Sequence, residues 1–175
     1  MNYPADVFFD IETLVNVSQA ESILLIGDVS AEFLNDYRSQ KMLIKQDCQI
    51  THIKSKDIEQ LWQISSRFDV AIAADLFEHI EKVKGMQVLS RLRDVLSPQY
   101  CICLPLNKMA NNQGWHLTDL FSFALSRVSS YEVDTNDSSS ELGLFKYNIS
   151  DYKKTPDWLN ADNWANPQMW GKYWW

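Results

Sequence analysis

The chain has 175 residues, of which 46% are hydrophobic and 22% charged, and its formal net charge is −7 at pH 7. This composition excludes disordered and collagen-like proteins and indicates one globular domain, because domains commonly have about 100–200 residues. The excess of acidic residues disfavours nucleic acid as a partner. No apolar run approaches the ~20 residues of a membrane-spanning helix, and the first residues lack the pattern of a secretory signal.

The three cysteines, Cys48, Cys101 and Cys103, do not have the spacing of a disulfide framework. Cys101 and Cys103 alternate within an apolar run that is typical of a buried strand. A zinc site needs about four ligands, and the sequence has no second pair of cysteines. We therefore expect buried thiols, no metal, and the reducing cytoplasm as the compartment.

The first half of the chain alternates predicted strands and helices. Residues 1–21 have a mixed pattern that predicts no element. Short apolar runs that end at a glycine or a polar residue are typical of strands buried in a parallel sheet, and apolar side chains at helical spacing follow them. Ser30 can cap the first of these helices. The predicted order is strand 22–28, helix 33–37, strand 49–53 and helix 58–64.

The second half continues this alternation and ends in a hairpin. The predicted order is strand 68–74, a long helix to 96, strand 100–106, helix 117–128, and strands 130–134 and 142–149 around a polar turn at 136–141. The long helix is predicted to bury a face made of Val83, Met86, Leu89, Leu92 and Val95 or Leu96. This order predicts an α/β sandwich with a mostly parallel sheet and right-handed crossovers.

Two stretches identify a family resemblance. Residues 67–80, RFDVAIAADLFEHI, contain an FDxV strand followed by an acidic, apolar Glu-His signature, and residues 89–98 end a helix in a Leu-x-Pro turn. With the closing hairpin, residues 22–149 resemble a class I S-adenosylmethionine-dependent methyltransferase. The resemblance implies a Rossmann-like fold over 1–150, with S-adenosylmethionine as the cofactor.

The resemblance also implies where a cofactor would bind. It assigns cofactor contacts to Gly27, Asp28 and Ser30 after the first strand, to Asp57 after the second, and to Asp75 after the strand that ends at residue 74. For Asp28 and Ser30, a plain helix cap is an equal alternative, since a helix N-terminus also binds anions. For Asp75, the alternative is the cap of the following helix.

Three features depart from the family on the cofactor side. Only Gly27 remains of the glycine-rich loop, where residues without Cβ let the backbone approach the cofactor. The second strand ends in Lys54 and Ser55, without the usual acidic residue. The segment 55–68 is too short for a helix and the family's third strand. These departures predict an eroded cofactor site.

The candidate catalytic residues are Asp75, His79 and His116. A histidine titrates near neutrality and is a suitable general base. His79 belongs to the Glu-His signature, which also supports structure in the family. His116 follows the strand ending at 106, near the place where methyl acceptors bind in the family.

The C-terminal segment 151–175 differs in composition from the rest. Its five tryptophans are Trp158, Trp164, Trp170, Trp174 and Trp175. Residues 152–167 resemble the tail of a small, uncharacterised group of bacterial methyltransferase-like proteins. Tryptophans bury large areas, so we expect this extension to pack on the domain or to form an interface, including that of a homodimer.

Three functions remain open. The first is a methyltransferase-like protein with an eroded cofactor site that binds or assembles with a small molecule or protein. The second is an active methyltransferase with a divergent pocket. The third is a metal-dependent 3'-5' exonuclease, because Asp10 and Glu12 form an Asp-x-Glu pair of the kind that binds two catalytic metals.

Overall fold

The computed structural model describes residues 3–106, 114–135, 138–152, 162, 166–169 and 172. Its strands are β1 Ser22–Ile26, β2 Gln49–Ile53, β3 Val70–Ala74, β4 Gln99–Leu106, β5 Ser126–Thr135 and β6 Ser138–Asn148. They form one sheet of six strands in the order β2-β1-β3-β4-β6-β5. The first four of these are parallel, and β6 is antiparallel to both β4 and β5. This is the Rossmann-like, methyltransferase-type sandwich that the sequence predicts.

Helices cover both faces of the sheet. They are α1 Ala5–Ser18, α2 Asn35–Leu43, α3 Lys82–Arg91, α4 Leu117–Ser122 and α5 Ile149–Tyr152, with 3-10 segments at Ala31–Leu34, Ser55–Gln63 and Pro167–Met169. Successive strand residues point to opposite faces. Ile23 and Leu25 of β1 pack with α1 and α2, whereas Leu24 and Ile26 pack with α3, α4 and the 3-10 segment after β2. The sheet therefore has a separate core on each face.

Helix α1 corrects the prediction that residues 1–21 form no element. It buries Val7, Ile11 and Val15, which are spaced four residues apart and face the sheet. Phe9 lies between them in sequence and is 69% exposed. A large aromatic side chain on the solvent face hides the helical period.

Helix α3 and the turn after it bury the predicted face only in part, because Leu89, Leu92 and Leu96 are fully buried whereas Val83 and Met86 are not. Val83 and Met86 are 67% and 39% exposed, whereas Val88 and Leu89 are fully buried. The buried face also includes Gly85, and a Cβ there would lie 2.6 Å from Cζ2 of Trp115. The glycine lets the helix approach the indole, so the buried side of α3 extends to Gly85, which the prediction did not include. A π-helical turn at Leu92–Leu96 completes the element.

The predicted helix over 117–128 is too long, because α4 ends at Ser122. Ala124 has a positive φ of 59°, and β5 begins at Ser126. The hairpin is correspondingly longer than predicted, since β6 begins at Ser138 inside the expected turn.

The segment after β2 confirms that the family's third strand does not fit there. Ser55–Gln63 forms 3-10 turns, and the chain then enters β3. In the described part of the chain, β2 is therefore an edge of the sheet. None of the described helices is long and apolar enough to cross a membrane. The five tryptophans of the C-terminal extension lie outside the described residues.

Candidate functional site

The carboxyl ends of β1, β2 and β3 lie at one edge of the sheet, as the rule for parallel strands requires. Asp28 follows β1, Ser55 follows β2, and Asp75 follows β3. The backbone N–H of Asp28 donates to the carbonyl oxygen of Asp75 at 3.1 Å. This hydrogen bond joins the loops after β1 and β3 directly.

Gly27 is required by the packing of these strands. Its φ of 119° is one that L side chains rarely adopt, and a Cβ there would collide with the carbonyl oxygen of Ala74. Its N–H donates to the carbonyl oxygen of Ile53 at 2.9 Å. The glycine therefore lies between the ends of β2 and β3. Its presence is explained without a cofactor.

The carboxylate of Asp28 is held by Ser55. Its Oδ1 accepts the backbone N–H of Ser55 at 3.1 Å, and its Oδ2 accepts the Ser55 hydroxyl. The hydroxyl bond is the main reason why the pKa of Asp28 is lowered, and the nearby His79 also lowers it. Asp28 is thus ionised and engaged at both oxygens.

His79 lies between two carboxylates. Its Nε2 is 3.1 Å from Oδ1 of Asp75 and 3.9 Å from Oδ2 of Asp28. The imidazole is 41% exposed, whereas the Asp75 side chain is only 13% exposed. An imidazole held in this way can accept a proton at the sheet edge or form ion pairs when it is protonated. The prediction that Asp75 caps the next helix is wrong, because Glu81 occupies that position.

Tyr3 and Glu78 are joined to Asp75 by hydrogen bonds. The Tyr3 hydroxyl accepts the backbone N–H of Asp75 at 2.9 Å and donates to Oε1 of Glu78 at 2.7 Å. Burial raises the pKa of both side chains. The other oxygen of Glu78 is buried and has no hydrogen-bond partner among the described residues. Tyr3 gave no signal in the sequence, because its segment showed no pattern.

Ser55 is the other residue of the group that was not predicted as part of a site. It lies two residues after the predicted strand 49–53, and this position was the available signal. Ser30 and Asp57 lie apart from the group. The Ser30 hydroxyl accepts the N–H of Glu32 at 3.3 Å and caps the Ala31–Leu34 turn, in agreement with the alternative interpretation as a cap. No hydrogen bond in the described structure joins Asp57 to Asp28.

His116 belongs to a different group of side chains. It lines a cavity of about 390 Å³ with Leu106, Trp115 and the ion pair of Arg127 and Glu141. Trp115 stacks edge-on against Phe77, with ring centroids 5.3 Å apart. Among the described residues, no hydrogen bond or ion pair connects His116 to His79. The structure therefore groups Asp28, Asp75 and His79 and leaves His116 outside.

Asp10 and Glu12 lie on α1 and not at the carboxyl edge. Residues two apart in a helix point in very different directions, because each turn has about 3.6 residues. Oδ2 of Asp10 accepts hydrogen bonds from Ser129 at 2.8 Å and Tyr131 at 2.5 Å. The described residues include no group of three or more His, Cys, Asp or Glu able to hold a metal. Nothing supports the exonuclease alternative.

The sheet order and its antiparallel hairpin define a methyltransferase-like α/β fold. Residues 6–175 match the model of a family of unknown function, DUF6231, and the chain belongs to this family. No curated protein matches the chain.

Three solved structures illustrate the similarity in fold. Magnesium protoporphyrin IX methyltransferase from Synechocystis PCC 6803, with bound S-adenosylhomocysteine, is 9% identical, with 82% of this chain and 83% of that chain covered and a TM-score of 0.47. A putative O-methyltransferase from Klebsiella pneumoniae is 13% identical, with 84% and 82% covered and a TM-score of 0.46. The O-methyltransferase TomG from Streptomyces achromogenes, in complex with S-adenosylmethionine, is 9% identical, with 84% and 82% covered and a TM-score of 0.45.

Proposed function

We propose that this protein is a methyltransferase-like binding or assembly module that no longer holds S-adenosylmethionine in the usual way. The observation that carries the proposal is the engagement of Asp28 by Ser55. Both oxygens of the carboxylate after β1 accept hydrogen bonds from the residue after β2. In this arrangement a ligand of the Asp28 carboxylate would compete with hydrogen bonds that Ser55 already makes.

Two further observations support the proposal. Gly27 serves the contact between β1 and β3, so the remaining glycine of the loop is no evidence for a bound cofactor. The second strand is followed by Lys54 and Ser55, and a positive side chain after this strand replaces the acid that would accept hydrogen bonds from ribose hydroxyls.

Calorimetric titration with S-adenosylmethionine and with S-adenosylhomocysteine, at two temperatures, tests the proposal. We expect no heat of binding at millimolar ligand. Micromolar binding that is lost in Asp28→Asn and retained in Ser30→Ala would overturn it. Ser30→Ala is the matched control, because Ser30 lies in the same loop but only caps a turn. Gly27→Val is unsuitable, because it would disturb the sheet itself.

An active methyltransferase with a divergent pocket is the second candidate, and the placement of His79 favours it. The imidazole is partly exposed and held by Asp75 at the edge where the parallel strands end. S-adenosylmethionine, if it binds, would supply the methyl group, and His79 would accept the proton that the acceptor loses. Its test is transfer of label from tritiated S-adenosylmethionine to components of a cell extract. Transfer that His79→Gln removes, without weakening ligand binding, would establish this function.

The extension 151–175 is our proposed contact surface for a protein partner or a second copy. Tryptophan is enriched in binding hot spots, and this segment carries five tryptophans. Replacing Trp174 and Trp175 together with alanine should weaken association if the extension forms the interface. If the double variant has the same sedimentation coefficient as the wild type at every concentration of a series, this role is contradicted.

A further inference from the structure

Strand β2 presents an unpaired backbone edge. In the described part of the chain it pairs with β1 alone. The N–H of Gln49 donates to Glu21, and the carbonyl of Ile53 accepts from Gly27, so residues 49, 51 and 53 bond towards β1. Because bonding directions alternate along a strand, the N–H and C=O groups of Ile50 and His52 point away from the sheet. No strand among the described residues pairs with these four hydrogen-bonding groups, so this edge can accept another strand.

An exposed apolar segment, Met42–Ile44, forms the end of α2 and precedes β2 by a few residues in the sequence. Met42, Leu43 and Ile44 are 71%, 84% and 59% exposed. This segment is held in place, because the buried Lys41 amine donates to the carbonyl of Gln19 at 2.8 Å and to the Gln46 side chain at 2.9 Å. Exposed apolar side chains favour association, and an unprotected strand edge is a template for pairing.

The sequence of β2, QITHI, is suited to pairing with its own copy. In an antiparallel pair centred on Thr51, residue 50 of each chain lies opposite residue 52 of the other. These are the two residues whose backbone groups point outward, so each pair exchanges two hydrogen bonds. Thr51 then faces Thr51 of the second copy at the twofold axis, and its side chain is exposed.

The charges beside β2 complement one another in the same arrangement. Antiparallel pairing brings the residues before β2 of one chain next to the residues after β2 of the other. Asp47 of one chain then lies at the same end of the pair as Lys54 and Lys56 of the second copy, and Lys45 lies at the same end as Asp57. These residues flank the paired strands Gln49–Ile53, so opposite charges attract each other at both ends of the pair. A parallel partner strand would instead align like charges with one another.

We propose that two copies of this chain associate through the edge of β2 into one continuous sheet. A closed twofold dimer is the commonest form of assembly that such a self-complementary edge gives. The dimer rests on the assembly role proposed above and names the partner as a second copy. It makes no use of S-adenosylmethionine, so the titration and the association assay can fail independently.

Sedimentation velocity over the micromolar range tests the dimer. The wild-type protein should sediment with twice the 20.4 kDa mass of one chain. Thr51→Lys and Thr51→Glu each place a charge opposite its own copy and should raise the dissociation constant by about tenfold or more. An equimolar mixture of the two variants should dimerise again, because the charges are then opposite. Thr13→Lys, an exposed threonine on α1, is the matched control and should remain dimeric.

A wild-type protein that stays monomeric throughout the micromolar range would overturn the proposal. A dimer that persists equally in Thr51→Lys would also overturn it, because the interface would then lie elsewhere, as in the 151–175 extension. Circular dichroism of each variant shows that the fold is retained. Should one variant fail to fold, the other and the mixture still decide between these outcomes.

Discussion

Replacing Gly27 with alanine should destabilise the protein strongly, because the obstacle is backbone. The added Cβ would collide with the carbonyl oxygen of Ala74 and lie 2.9 Å from its carbonyl carbon, at a φ of 119°. Relief requires β1 and β3 to separate near the hydrogen bond between Asp28 and Asp75. Backbone strain of this kind costs about 1–3 kcal/mol, and a lost hydrogen bond adds about 1 kcal/mol. We therefore expect a loss of about 3 kcal/mol.

Urea unfolding followed by far-UV circular dichroism measures this loss. Ser30→Ala is the control from the same loop, because it removes only the cap of a short 3-10 turn and should cost about 0.5–1 kcal/mol. If the free energy of unfolding of Gly27→Ala lies within about 0.5 kcal/mol of the wild-type value, the ends of β1 and β3 do not approach each other as closely as described. The explanation of the glycine by packing would then be refuted.

Three other substitutions test the packing and the ionised groups. Glu78→Gln keeps the acceptor for Tyr3 but removes a carboxyl group whose pKa is raised by burial. Urea unfolding should therefore show that the variant is more stable than the wild type at neutral pH and equally stable in acid, where Glu78 is protonated. Lower stability of the variant at neutral pH would contradict this. Burial opposes ionisation of Asp69, yet three hydrogen bonds prevail and lower its pKa. Asp69→Asn should therefore cost about 1 kcal/mol after solvent screening, a difference that disappears as the pH falls through the lowered pKa; a constant difference would contradict this. Gly85→Ala should displace the indole of Trp115 and shift its fluorescence to the red. The variant should also lose about 1–3 kcal/mol of its free energy of unfolding. An unchanged fluorescence spectrum would contradict the close contact between Gly85 and Trp115.

The strands could be predicted from the sequence because each buried strand is a short apolar run with clear ends. Helix α1 could not, since the exposed Phe9 obscures the period of the buried residues. The buried face of α3 could be predicted only in part. Leu89, Leu92 and Leu96 are buried as expected, but the contact of Gly85 with Trp115 joins distant parts of the chain and has no signal in the sequence pattern.

The candidate site was also predictable from the sequence only in part. Asp28, Asp75 and His79 follow predicted strands or belong to the family signature, so their positions along the sequence point to the carboxyl edge. The partnership of Asp28 with Ser55 depends on the approach of two loops in space, and sequence spacing does not encode it. Tyr3 reaches Asp75 from a helix that the sequence pattern conceals. Tertiary contacts therefore decide which polar residues form one group.

Ser55→Ala separates the two explanations of Asp28. If Ser55 is the permanent partner of this carboxylate, the variant raises the pKa of Asp28 towards its ordinary value and lowers stability, with no gain in ligand binding. If Ser55 merely occupies the place of a ligand, its removal frees the carboxylate and tightens the binding of S-adenosylmethionine. Carbon-13 NMR titration of the carboxyl groups gives the pKa, and calorimetry gives the affinity. Asp28 is partly exposed in either case, so exposure alone does not separate the two explanations. A module without the usual cofactor site requires a raised pKa and lower stability, whereas a site for S-adenosylmethionine requires tighter binding of that ligand.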